Sequence, residues 1–136
     1  MVERIGISLE SKLLKQFDKL IRAKGYSNRS EAVRDLIREK LIEQEWAAPK
    51  GEAVAVVTLV YEHHTLDLAS RMTDLEHKQF HCVVATTHVH MDHDNCLEIL
   101  ILRGPGRDIR KLGEQLISLR GVKHGRFIPG TTGKRL

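Results

Sequence analysis

At 136 residues, with 41% hydrophobic and 29% charged side chains, the chain suits one ordinary domain or two small ones and is too apolar for a disordered tail. No apolar run approaches the ~20 residues of a membrane span and no basic-then-apolar leader opens the sequence, so the expected compartment is the cytosol. Net charge is a mild +4, and two cysteines, Cys82 and Cys96, are too few for a disulfide framework and fit thiol or metal-ligand roles.

The two halves carry different chemistry. Residues 1–40 hold ten Lys/Arg against six Asp/Glu, whereas all eight histidines follow residue 60 and seven fall between His63 and His93. The opening segment Arg4-Ile5-Gly6-Ile7-Ser8-Leu9 alternates, which predicts a strand with Ile5, Ile7 and Leu9 on one face and Arg4, Gly6 and Ser8 on the other. Leu13, Leu14, Phe17, Leu20 and Ile21 then repeat with helical spacing up to Gly25, a natural stop. A second helix starts at Asn28, an N-cap with Glu31 at the capping-box position, and Val33, Leu36, Ile37 and Leu41 form its stripe until the pattern fades near Trp46. One short strand and two helices cannot bury a core, and a lone strand leaves its backbone groups unpaired. A second copy whose strand pairs antiparallel with this one solves both problems, so residues 1–46 are expected to dimerise.

Ala47-Ala48-Pro49-Lys50-Gly51 marks a boundary, with a linker over 47–52. Residues 53–130 read as strand (Ala53–Tyr61), helix (Leu68, Ala69, Met72, Leu75), strand (Cys82–His90), strand (Cys96–Arg103), helix (Ile109, Leu112, Leu116, Leu119) and strand (Val122–Ile128). This βαββαβ order is the ferredoxin-like arrangement, so the fold class is α+β. Residues 131–136 read as a tail.

Two constellations carry chemistry. A two-stranded ribbon fits a DNA major groove, where an Arg on its outer face pairs with guanine and a Ser bonds various base edges. With its alternating strand, helix, turn Gly25-Tyr26-Ser27-Asn28-Arg29-Ser30 and second helix, the first half resembles the ribbon-helix-helix repressors. That resemblance implies base contacts from Arg4 and Ser8 and phosphate contacts from Asn28, Arg29 and Ser30 at a helix N-terminus. Gly6, at the middle reading position, offers no side chain.

The second is Thr87-His88-Val89-His90-Met91-Asp92-His93-Asp94-Asn95-Cys96. His88 and His90 share one face of a strand about 6.6 Å apart, with Val83, Ala85 and Val89 expected on a core-like opposite face. The turn brings Cys96 back on the neighbouring strand, so two imidazoles and a thiolate meet, a set soft enough for nickel, copper or zinc. Helical phase points His77 away from its own core, toward water or another subunit. Glu98 shares the strand parity of Cys96, as a partner for a ligating imidazole or as a solvated carboxylate.

Taken whole, residues 3 to about 128 resemble the NikR family of nickel-responsive regulators, through Tyr61-Glu62-His63, Asp67-Leu68-Ala69-Ser70-Arg71, His88-Val89-His90, Asn95-Cys96-Leu97-Glu98 and Arg120-Gly121-Val122-Lys123-His124-Gly125. The resemblance implies Ni2+ held square-planar by His88, His90, Cys96 and, from another subunit, His77. It implies an ACT-type C-terminal domain at the centre of a homotetramer, flanked by two DNA-binding dimers on the palindromic half-sites of an operator. It further implies a secondary cation site near Glu31 and Asp35, which otherwise are solvated or pair with Arg34 and Arg38. A ribbon-helix-helix regulator sensing another metal or a small organic ligand is the competing reading. A zinc enzyme, with Glu98 as base beside an open metal position, fits poorly with a fused DNA-binding unit.

Overall fold

The computed structural model of the chain describes residues 1–65 and 67–136. They divide into two compact units, Met1–Lys40 and Leu41–Leu136. Among the described residues no helix is long and apolar enough to cross a membrane.

In the first unit, helix α1 spans Ser11–Ala23, and α2, which starts here, spans Arg29–Ala47. Gly25 closes the end of α1 with φ of 86°, a left-handed conformation that glycine adopts without steric cost. Tyr26 N–H reaches back to the Ile21 carbonyl at 3.0 Å. Asn28 caps α2, its Oδ1 accepting from the Glu31 amide at 2.9 Å. Residues 1–10 form no strand, and Ile5, Ile7 and Leu9 stay exposed. The alternation is present, but a strand needs ladder bonds, and no described strand of this chain pairs with residues 1–10. Leu13, Leu20, Leu36 and Ile37 are also about half exposed, so the helices hold apolar surface that the unit does not cover itself.

The second unit continues from the last turns of α2. Its elements are β1 (Glu52–Glu62), α3 (Leu68–Lys78), a 3-10 turn at Phe80–Cys82, β2 (Val83–His90), β3 (Asn95–Pro105), α4 (Gly106–Ile117) and β4 (Val122–Pro129). The four strands form one antiparallel sheet in the order β2-β3-β1-β4. The fold is therefore α+β and ferredoxin-like, as the element order predicts. Strict alternation in β1 buries Ala55, Val57, Leu59 and Tyr61, and in β3 it buries Cys96, Glu98, Leu100 and Leu102. Ile109, Leu112 and Leu116 of α4 repeat at helical spacing on the same core, and α4 packs on β1, β3 and β4. Each fully buried Leu or Ile there contributes roughly 1.5–3 kcal/mol of transfer free energy.

Trp46 belongs to this core rather than to the first unit. Its indole N–H donates to the Gly130 carbonyl at 2.9 Å, and its ring stands edge-on to Phe127 at 5.4 Å. The linker expected at 47–52 thus follows a helix end that is already packed on the C-terminal core. Residues 131–136 form no helix or strand, although Thr131 lies 3.5 Å from Glu45 and Arg135 donates to the Lys50 carbonyl at 3.3 Å. Cys82 is fully buried beneath Gly104, where a Cβ would stand 2.9 Å from its sulfur. Burial pushes its thiol pKa up, as befits a small apolar core residue.

Candidate metal centre and nucleic-acid interface

β2 and β3 form the hairpin that carries the histidine–cysteine set. Register pairs His90 directly with Cys96 and His88 with Glu98, so all four side chains leave the same face of the sheet. The Met91–Asn95 turn is closed by Asp92, whose carboxylate accepts from the amides of Asp94 at 2.9 Å and Asn95 at 2.8 Å. Those bonds, with the Asn95 side chain first among them, lower the Asp92 pKa to about 2.

The face itself differs from the expectation. Val83 pairs with Leu102 and packs against the core, but the ladder slips between Val83 and Ala85, where Val84 is the extra residue. A bulge of one residue reverses parity. From there on Ala85 and Val89 lie on the sheet face away from the core, with Val89 exposed, and His88 and His90 lie on the core side. The imidazoles remain exposed because β2 is the edge strand, beyond the surface that α4 covers.

Cys96 and Glu98 are each 2% exposed, and Glu98 is the one buried charged residue among those described. Three groups surround its carboxylate. The Tyr61 hydroxyl donates to Oε2 at 3.1 Å, His88 Nε2 stands 3.5 Å from Oε1, and the Glu76 carboxyl of α3 lies beside it. Burial, then the bond to Glu98 and its charge, pushes the Glu76 pKa up to about 8, so Glu76 holds a proton near neutral pH. The same hydroxyl lies 3.5 Å from His88 Nδ1, and burial raises the Tyr61 pKa, with the Glu98 charge adding to it. Tyr61 and Glu76 were not among the predicted site residues. Tyr61 is opposite Cys96 only in the folded sheet, and no local pattern announces that pairing.

Within one chain His88, His90 and Cys96 share one face of the hairpin, while His77 stands on α3. His77 is exposed in the last turn of α3, and among the described residues its side chain makes no hydrogen bond, ion pair or ring contact. His63 stands beside the set. Its ring is edge-on to His90 at 5.5 Å, and its Nδ1 is buried without a partner among the described residues. His81 is exposed against Phe80.

In the first unit, Arg4, Ser8, Asn28, Arg29 and Ser30 are all exposed. Arg29 forms a two-pronged pair with Asp18 of α1, both bonds at 2.8 Å, which lowers the Asp18 pKa. Its guanidinium is therefore committed within the chain, a partner that the sequence pattern did not reveal. Glu31 and Asp35 each have partners of their own. Glu31 bonds Arg34, while Asp35 accepts from the Tyr26 hydroxyl at 2.6 Å and from Arg38 at 3.2 Å.

Comparison with known proteins gives two family matches, end to end. Residues 3–44 match the ribbon-helix-helix proteins of the copG family, and residues 54–128 match the NikR C terminal nickel binding domain. A protein of Anaeromyxobacter dehalogenans is 54% identical over 100% of this chain and 99% of its own length. One of Solibacter usitatus is 50% identical over 99% and 97%, and one of Caldanaerobacter subterraneus 46% identical over 99% and 88%. All three carry the name nickel-responsive regulator. Among solved structures, the uncharacterized protein TM1266 of Thermotoga maritima superposes with a TM-score of 0.51 at 16% identity, over 57% of this chain and 96% of that one, which supports the fold alone.

Proposed function

Because the chain belongs to the NikR family of nickel-responsive regulators, we propose that it is a nickel-dependent DNA-binding repressor whose metal is held by His88, His90 and Cys96 of one subunit and His77 of another. It is a regulator and not an enzyme. The observation that carries the ligand set is the β2–β3 register. It puts His90 opposite Cys96 and His88 one pair further along, on one face, with the thiol buried and the imidazoles open. Two imidazoles and a thiolate suit a borderline ion, and Ni2+ adds the preference for a planar N/S environment that a fourth, incoming imidazole completes. Glu98, gripped by Tyr61 and Glu76, faces His88 and orients that ring, since a ligating imidazole bonds through one nitrogen and is held by the other.

A second copy of the chain has two apolar surfaces to cover. One is the N-terminal ribbon face of Ile5, Ile7 and Leu9, whose backbone bonds are completed by an antiparallel partner strand. The other is the sheet face away from the core, where Val89, Ile101 and Ile128 are 42%, 40% and 51% exposed. Two distinct self-complementary surfaces build a dimer of dimers. Each ribbon then presents Arg4 and Ser8 to one operator half-site, with Asn28, Arg29 and Ser30 against the backbone.

Titration with Ni2+ tests the ligand set. A thiolate-to-nickel charge-transfer band is expected in the wild type and in Cys82→Ala, and is expected to vanish in Cys96→Ala. Loss of the band in Cys82→Ala with its retention in Cys96→Ala overturns the hairpin assignment.

A further inference from the structure

Apart from the hairpin ligands, the described residues gather one other set of three metal-competent groups: His64, His93 and Asp94. They meet because of strand pairing. Glu62 and Asn95 form the last pair between β1 and β3, so the residues just beyond leave the sheet side by side. The His63 amide donates to the Asp94 carbonyl at 3.2 Å, tying the two exits together. Asp92 supplies the bonds that shape the turn, which leaves the Asp94 carboxylate free to face outward. Its Oδ1 lies 3.1 Å from His93 Nδ1 and 3.7 Å from His64 Nε2. One donor atom from each residue lies within 4.8 Å of the other two.

We propose that His64, His93 and Asp94 form a second divalent-cation site, on the surface and distinct from the cysteine-containing one. Two imidazoles and one carboxylate on one side of an ion, with water on the other, suit Ni2+, Co2+ or Zn2+. Bonds of about 2.1 Å at right angles put neighbouring donors about 3 Å apart. The His93–Asp94 pair already stands at 3.1 Å, and His64 Nε2 stands 3.7 Å from the same carboxylate oxygen. The three side chains are 51%, 90% and 57% exposed, in the order His64, His93, Asp94, so water competes for the ion and binding is weaker than at a four-ligand site with a thiolate. An ion here links the turn that leads into α3, the helix of His77, to the hairpin turn between His90 and Cys96. The His64 ring lies 4.2 Å from His63, whose ring in turn contacts His90, so the two sites are one histidine apart.

The test is nickel titration of the full-length protein, followed by calorimetry, by the charge-transfer band and by NMR of the histidine rings. Two binding classes are expected, each of one ion per chain. The tighter develops the charge-transfer band. The weaker leaves that band unchanged, having no sulfur, and broadens the His64 and His93 ring signals, because water-bound six-coordinate Ni2+ is paramagnetic. His64→Ala and Asp94→Asn should each weaken the second class at least tenfold while the band still saturates at one ion per chain. A single class in the wild type, or a second class unaltered in both variants, overturns the proposal. Loss of the band bears on the cysteine site alone, so failure of the two readings is separable.

Discussion

Glu98 is buried among acidic and hydroxyl partners, and burial beside it pushes the Glu76 pKa up to about 8. A carboxyl whose pKa rises from 4.5 to about 8 on folding binds more protons folded than unfolded. Its contribution to stability is complete below about 4.5 and is lost as pH rises through about 8. Glu76→Gln supplies an N–H donor to Glu98 at every pH. Thermal unfolding of the metal-free protein, followed from about pH 5 to about pH 9, should therefore show the wild type losing stability across this window relative to Glu76→Gln. Parallel curves would mean that Glu76 carries no such proton. The parity of Glu98 with Cys96 was legible in the sequence, because both lie on one strand with period two. Tyr61 and Glu76 were not, since they reach Glu98 only through the β1–β3 register and the docking of α3, which no local period encodes.

Elements rich in local signal are legible in the sequence, and those that depend on another chain or on an irregularity are not. Gly25 and Asn28 end α1 and start α2 as their chemistry dictates. The bulge at Val84 left no mark in the alternation around it, yet it decides which face His88 and His90 occupy. The N-terminal strand is clear in the pattern and absent from the single chain for want of a partner. The pairing of α1 with α2 through Asp18 and Arg29 also has a functional edge. An arginine already bonded to a carboxylate must leave it, or share it, to neutralise a phosphate. Asp18→Asn should thus tighten binding to any DNA duplex and steepen the dependence of log K on log salt by roughly 0.9 for each Arg29 released. Arg4→Ala should act differently, weakening binding to an operator selected from random duplexes by about 1–3 kcal/mol per chain while leaving nonspecific affinity nearly unchanged. Gel-shift titrations at several fixed salt concentrations check both. Equal slopes for Asp18→Asn and wild type would show that Arg29 never meets a phosphate, and unchanged operator affinity in Arg4→Ala would remove it from the reading face.

For the whole molecule, the need for a second copy was legible from a strand without a neighbour, whereas the need for four followed only from family resemblance. The exposed apolar sheet face is a surface of this chain on which such a larger assembly would close. On the proposed ligand set, three donors share one hairpin face and His77 stands on α3, so the fourth bond would come from another subunit. Nickel would then tie α3 of one subunit to the hairpin of another and favour the arrangement of DNA-binding dimers that spans two half-sites. By linkage, operator DNA must tighten nickel binding by the same factor. Mixing two metal-free variants tests the interchain ligand directly. His77→Ala chains keep His88, His90 and Cys96, and Cys96→Ala chains keep His77. After subunit exchange, a mixed assembly can build a complete four-ligand site from one chain of each kind. A charge-transfer band that survives a competing chelator is expected in the mixture and in neither parent. If exchange is verified by mass and no such band appears, His77 is not the fourth ligand, and the coupling between nickel and DNA must run through the hairpin of a single subunit.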